Sequence, residues 1–250
     1  MDFSNENSVI VGRNAVMEAI KSDAQIDTLY VIQGEKAGIV GKIIALCKKN
    51  GAVIKEVNSL KLQSLSGTSA HQGVVAIAAC KEYSTVEDIL QAAQDKGQAP
   101  FIIIADEIED PHNLGAIIRT AEAAGAHGLI IPKRRQASLT PIVYKTSAGA
   151  VSHLPVARVS NLASTIDDLK SKGIWIYGLD MDGKSWCETD FSGGCGIVIG
   201  SEGNGIGRLI KEKCDFIVSL PMLGKTNSLN ASVAGGIVMY EVTKQRLNKK

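Results

Sequence analysis

The order of apolar and polar positions divides the chain into two α/β stretches. Apolar residues recur at helical spacing over residues 14–21 and 38–49, and extended runs cover 26–32, 52–57 and 73–79. A turn-like Ser66-Gly67-Thr68-Ser69 precedes the last run. Together these elements predict a small α/β domain over residues 1–80. Residues 81–100 are polar and charged, with one weak helical pattern at 86–93 and a Gly97-Gln98-Ala99-Pro100 ending. They read as a linker.

Beyond residue 100 the pattern strengthens. Phe101-Ile102-Ile103-Ile104-Ala105 is the near-continuous apolar run of a parallel strand covered on both faces. Further strands are predicted at 128–131, 174–179, 196–199 and 216–220, and helices at 114–124, 162–172, 207–213 and 231–247. Alternation of this kind predicts an α/β domain over 101–250, a parallel sheet with helices on both faces. Ligands of such a sheet bind at the carboxyl ends of its strands.

Composition narrows the class. With 250 residues and 45% hydrophobic content, the chain can bury one large core, or a medium core and a small one. Its apolar runs fall far short of the roughly 20 residues of a membrane span. The opening Met1-Asp2-Phe3-Ser4-Asn5-Glu6 is polar and acidic, unlike a signal peptide. A soluble, cytoplasmic protein with no membrane partner is therefore expected. Cys47, Cys80, Cys187, Cys195 and Cys214 form no Cys-x-x-Cys pair, which predicts reduced thiols. The four histidines are dispersed too, and no metal is expected. A net charge of +1 lends no support to a nucleic-acid partner, so any basic surface must be local. Lys133-Arg134-Arg135 is one such run, either a phosphate contact or a solvated turn.

Two glycine-rich stretches imitate phosphate loops. Gly178-Leu179-Asp180-Met181-Asp182-Gly183-Lys184-Ser185 has the letters of a P-loop. Asp180 and Asp182 would meet the phosphates, and no helix start follows Ser185, so the stretch reads as an exposed turn. Gly200-Ser201-Glu202-Gly203-Asn204-Gly205-Ile206-Gly207 resembles a dinucleotide loop, but Arg208 occupies the position of the third glycine. Its place in the last quarter of the chain is also wrong for that role. Its glycines still permit close approach of backbone to a ligand.

Three segments carry candidate chemistry. After the strand at 101–105, Asp110-Pro111 turns the chain into a helix, with Asn113 near its N-cap and Arg119 about two turns on. Capping and a surface ion pair account for these two residues as readily as a site does. Next, Ile199-Gly200-Ser201-Glu202-Gly203 is a strand emptying into a loop with one carboxylate. Finally, Leu220-Pro221-Met222 leads through Asn227-Ser228-Leu229-Asn230 into a helix rich in small residues. Ser228 and Asn230 can cap that helix or offer polar groups to a ligand.

Taken in order, the three segments resemble the signature motifs of the SpoU/TrmH branch of SPOUT methyltransferases. Asp110-Pro111-His112-Asn113-Leu114-Gly115 through Arg119-Thr120 matches the first motif, Ile199-Gly200-Ser201-Glu202-Gly203 the second, and Leu220-Pro221-Met222 with Asn227-Ser228-Leu229-Asn230-Ala231-Ser232 the third. Val11-Gly12-Arg13-Asn14-Ala15-Val16 and His71-Gln72-Gly73-Val74 resemble the family's small substrate-binding domain, so the likeness spans nearly the whole chain. It is most similar to the RlmB-like subgroup, which methylates a guanosine of 23S ribosomal RNA.

The resemblance implies a trefoil-knotted C-terminal domain and S-adenosylmethionine held by Gly200, Leu220, Met222, Ser228 and Leu229. It implies 2'-O-methylation of an RNA ribose, with Arg119, Asn113, Glu202, Ser228 and Asn230 as catalytic residues. In that scheme Arg119 orients the ribose and its phosphate, since a free guanidinium is a poor base. Asn113 positions Arg119 or the ribose, and Glu202 holds the first-motif loop. A homodimer built on the C-terminal helix is implied as well. Alternative readings are a transfer-RNA ribose methyltransferase and a catalytically silent RNA-binding assembly factor.

Overall fold

The structure is a computed structural model and describes residues 9–22, 24–35 and 37–248. The polar opening stretch, within the expected domain 1–80, lies outside the described residues apart from its end. Two compact units emerge, Met1–Glu82 with Ser138–Ile142, and Tyr83–Ala137 with Val143–Lys250. No helix among the described residues is long and apolar enough to cross a membrane.

The first unit runs β1 (Val9–Val11), α1 (Arg13–Lys21), β2 (Ile26–Ile32), α2 (Gly38–Lys49), β3 (Val53–Val57), α3 (Ser59–Ser66) and β4 (Val74–Ala78). Its sheet order is β1-β4-β2-β3, with β2 and β3 parallel and β4 antiparallel to both its neighbours. Val16 and Ile20 of α1 and Val40, Ile43 and Cys47 of α2 share one core with Leu29, Val31, Val74 and Ala76. Those helical residues sit three to four positions apart, the spacing that made both helices legible. Two elements were not anticipated. β1 is three residues long, too short for a pattern, and α3 buries only Leu62. The ends of α3 are nonetheless marked: Asn58 accepts from the Lys61 N–H, and Gly67 closes it in the left-handed region at φ 68°.

The second unit opens with α4 (Val86–Asp95), inside the residues expected to form a linker. There the weak helical pattern at 86–93 is a capped, packed helix. Thr85 and Asp88 form a reciprocal capping box, and Ile89 and Ala93 are buried. A Cβ on Gly128 would lie 2.4 Å from Ile89 Cγ1, so the helix rests directly on the sheet. Val86 and Leu90 pack partly buried against the same core, so the helix carries a short apolar face.

There follow β5 (Phe101–Ala105), α5 (Pro111–Ala123), β6 (Gly128–Pro132), α6 (Pro141–Thr146), β7 (Val156–Val159), α7 (Leu162–Ser171), β8 (Trp175–Ser185), β9 (Cys195–Ile199), α8 (Arg208–Lys213), β10 (Phe216–Ser219) and α9 (Ala231–Leu247). Six strands form a wholly parallel sheet in the order β10-β8-β9-β5-β6-β7. On one face Ile102, Ile104, Ile130, Ile176 and Val198 pack against Ile89 and against Ile166 and Leu169 of α7. On the other lie α5 and α9, which pack on each other as well as on the sheet. Gly235 of α9 comes so near β9 that a Cβ there would sit 2.4 Å from Ile199 Cδ1.

The P-loop lookalike is neither a phosphate loop nor the exposed turn expected. Residues 178–185 continue β8, pairing Lys184 with Val218 and Ser185 with Ser219 after a register shift. A Cβ on Gly183 would lie 2.5 Å from the backbone of Ile217 and Val218, so only glycine allows this pairing. The polar letters of this stretch hid a strand whose end is only half covered.

Candidate active site

Three loops leave the carboxyl ends of β5, β9 and β10 and meet above the sheet. The first, 106–110, ends at Asp110, which caps α5 by accepting from the His112 N–H at 2.9 Å, with Pro111 at the first helical position. Asn113 is therefore not the cap. It sits inside the first turn, 8% exposed, and is free to face another element. Its Oδ1 accepts from Asn230 Nδ2 at 2.9 Å.

Asn230 caps the last helix and also reaches the two neighbouring loops. Its Oδ1 accepts from the N–H groups of Ser232 (3.0 Å) and Val233 (3.3 Å), capping α9. Because the cap needs an oxygen, the amide nitrogen must point the other way, where it donates to Asn113 Oδ1 and Glu202 Oε1. One side chain thus ties all three loops together. In consequence Asn113 Nδ2, on a side chain nine-tenths buried, is left without a partner among the described residues.

The glycine loop after β9 folds back on itself, Ser201 and Gly205 exchanging backbone bonds of 3.0 and 2.9 Å. A Cβ on Gly200 would lie 2.1 Å from the Gly205 carbonyl carbon and 2.3 Å from the Ile206 nitrogen. Asp106, buried at the end of β5, accepts from the Gly207 N–H at 2.8 Å and fastens the loop's far end. Burial pushes the Asp106 carboxyl above its usual range; the Gly207 bond opposes this, and the charge of Glu107 adds to it. Asp106 was not among the expected residues. Its place one step beyond a buried strand is the signal that could have found it.

Two clefts open between these loops. The larger, about 450 Å³, is lined by Gly200, Leu220, Met222, Ser228 and Leu229, all five expected cofactor residues, and by Glu202. Leu179, Asp180 and Met181 of the prolonged β8 complete a wall that the sequence did not disclose. Lys211 holds the Asp180 carboxylate at 2.9 Å. The smaller cleft, about 310 Å³, contains Asn113 and the carboxylate residues Glu107, Glu109, Asp110 and Glu202. Both clefts share residues 201–204 as a wall.

Of the expected catalytic residues, Asn113, Glu202 and Asn230 are joined by hydrogen bonds, and Ser228 lines the larger cleft. Arg119 stands apart: it is exposed on α5, lines neither cleft, and has no hydrogen bond or ion pair among the described residues. The larger cleft suits S-adenosylmethionine. Its volume lies in the range of ligand pockets, its walls are largely apolar, and glycine leaves backbone groups accessible. The smaller cleft offers acceptors and one free amide donor beside it.

Comparison with known proteins points to one family. The SpoU rRNA methylase family matches residues 100–240, and the RNA 2'-O ribose methyltransferase substrate-binding family matches residues 9–84. A Bacillus subtilis (strain 168) protein bearing the name TrmH family tRNA/rRNA methyltransferase YacO is 48% identical over 245 residues, covering 98% of each chain. The AdoMet-bound rRNA methyltransferase from Sinorhizobium meliloti superposes with a TM-score of 0.58 at 25% identity, over 94% of this chain and 86% of its own. The SpoU methyltransferase AviRb from Streptomyces viridochromogenes, solved with AdoMet, shares the fold at a TM-score of 0.61 and 24% identity, over 96% and 90%. The chain therefore belongs to the SpoU/TrmH family and is an S-adenosylmethionine-dependent RNA methyltransferase.

Proposed function

We propose that the protein methylates the 2'-hydroxyl of a guanosine ribose in 23S ribosomal RNA, in the cytoplasm, during ribosome biogenesis. The observation that carries the reading is the pair of clefts joined at Glu202, with Asn230 bridging Glu202 to Asn113. Gly200, Leu220, Met222, Ser228 and Leu229 hold the cofactor, which when bound supplies an already activated methyl group. The chain's task is then alignment of the acceptor hydroxyl and help with its proton. The free Asn113 amide donates to a ribose oxygen. Glu202 and Asn230 keep that amide aimed, and Ser228 completes the cofactor wall.

In this reading Arg119 orients the hydroxyl and adjoining phosphate in a homodimer whose site is completed across α9. Its lack of a partner among the described residues supports this, as does the exposure of Val233 and Tyr240 on that helix. The trefoil knot belongs to the same reading: the loops after β9 and β10 would be its crossing segments. Selecting a 2'-hydroxyl distinguishes RNA from DNA at the reacting atom. The expected domain division at 1–80, a short connection and 101–250 assigns RNA choice to the first part and chemistry to the second.

The test is transfer of labelled methyl from S-adenosylmethionine to separate pools of unmodified 23S rRNA, 16S rRNA and tRNA. A label on one 23S guanosine ribose, lost in Arg119→Ala with cofactor affinity retained, is the expected result. A label on tRNA overturns the substrate and keeps the chemistry. Cofactor binding without transfer to any pool, precursor particles included, would leave an assembly factor.

A further inference from the structure

Three cations follow β6 on the side of the sheet that carries both clefts: Lys133, Arg134 and Arg135. Lys133 and Arg134 have no ion-pair partner among the described residues. Arg135 has one, since its Nη1 donates to Glu107 Oε1 at 3.0 Å. Glu107 is also a wall of the smaller cleft. The two loops are fastened beside this pair: the Ile108 N–H donates to Gln136 Oε1 at 2.9 Å, and the Ala137 N–H to the Ile108 carbonyl at 2.8 Å.

Both members of the ion pair have a left-handed backbone, φ 57° at Glu107 and 52° at Arg135. That region disfavours residues with side chains, and such outliers gather where a site over-determines the backbone. The ion pair cannot be what holds them, because the Arg135 side chain is 74% exposed and such pairs contribute little. Its guanidinium spends one nitrogen on Glu107 and keeps the rest of its donor fork for another group.

Charge decides what each place can take. Glu107, Glu109, Asp110 and Glu202 repel a phosphate from the smaller cleft, which leaves it to the donor-bearing ribose and base. The phosphodiester of the same nucleotide must then lie outside the carboxylate wall, where the three cations are. We propose that Arg135 binds an RNA backbone phosphate beside the acceptor nucleotide, exchanging Glu107 for it, with Lys133 and Arg134 extending the same track. This rests on the proposed seating of the acceptor in the smaller cleft.

The experiment measures RNA affinity of the full chain between about 50 and 200 mM KCl, using unmodified 23S rRNA and tRNA transcripts as probes. Arg135→Ala should make the plot of log affinity against log salt shallower by about 0.7–0.9, the contribution of one phosphate contact. Arg135→Lys should keep the slope. Glu107→Gln, which removes the competitor, should tighten RNA binding roughly 1.4- to 5-fold, the range of an exposed ion pair. Cofactor affinity should be the same in all. An unchanged slope in Arg135→Ala sinks the assignment, and so does a parallel loss of cofactor affinity, which would mark a merely structural residue. If the wild type transfers methyl to no RNA yet the slope change is seen, the phosphate contact stands and the proposed function falls.

Discussion

The two ends of the parallel sheet use their polar residues in opposite ways. At the amino ends of the strands, polar side chains are spent chiefly on the protein's own backbone, the buried Arg246 Nε excepted. Arg246 donates to the carbonyls of Ala99, Pro100 and Gly193, and His127 Nδ1 accepts from the Phe101 N–H while Nε2 meets Gln98. Asp215 accepts from the Ile176 N–H and pairs with Lys170 at 2.7 Å. At the carboxyl ends, Asn113, Glu202 and Asn230 are bonded chiefly to one another, and a donor of Asn113 is left over. One end closes the fold; the other is positioned by it. Unspent, pre-aimed polar groups, rather than polarity as such, separate a site from a scaffold.

The largest effect expected from breaking this contrast is at the carboxyl end. Gly200→Ala must displace the backbone of Gly205 and Ile206, at a cost on the order of 3 kcal/mol, and should abolish cofactor binding by calorimetry. Retention of affinity within twofold would show that the closed loop is not needed for the cofactor.

The amino end should respond to pH instead. Burial, with the charges of Lys96 and Arg246, lowers the His127 pKa to about 4, so the folded chain keeps this ring neutral where the unfolded chain takes up a proton near 6.5. Between those values the unfolded state binds more protons. Stability is therefore full above pH 6.5 and falls by about 3 kcal/mol as pH drops to 4. Denaturant titrations across that window should show the loss in the wild type and much less of it in His127→Gln, with cofactor affinity at pH 7.5 unchanged. An equal loss in the variant would assign it to other groups.

The smallest effect on stability, and the sharpest on function, should come from Asn230→Asp. The oxygen that caps α9 survives, so the melting temperature should move by no more than about 1 kcal/mol allows. The donor to Asn113 and Glu202 is lost, and a second carboxylate faces Glu202. Turnover should fall at least tenfold with RNA affinity retained. If turnover is unaffected, the bridging amide is only a cap.

Much of the fold was legible in residue order. The run 101–105 announced a strand buried on both faces, and the bounds of α2 and α9 coincide with their predicted limits. The second half of β8 was misread because none of its side chains is buried, so periodicity reported solvent rather than hydrogen bonding; α4 showed only as a weak helical pattern. The candidate site was legible as motifs, and the five residues expected at the cofactor line one cleft. The motifs could not say that Asn113 would be freed from capping by Asp110, or that Arg119 would stand apart.

By itself, then, the sequence determined the strands and helices that bury a periodic face, the glycines where backbone must pass close, and the family. Tertiary structure alone decided that Asn230 bridges Asn113, 117 positions away, to Glu202, and that a carboxylate cleft adjoins an apolar one. The physical reason is one of range. Periodicity reflects how one element meets its own surroundings, whereas these contacts depend on strand order, which sets β5 directly beside β9 although they are far apart in the chain.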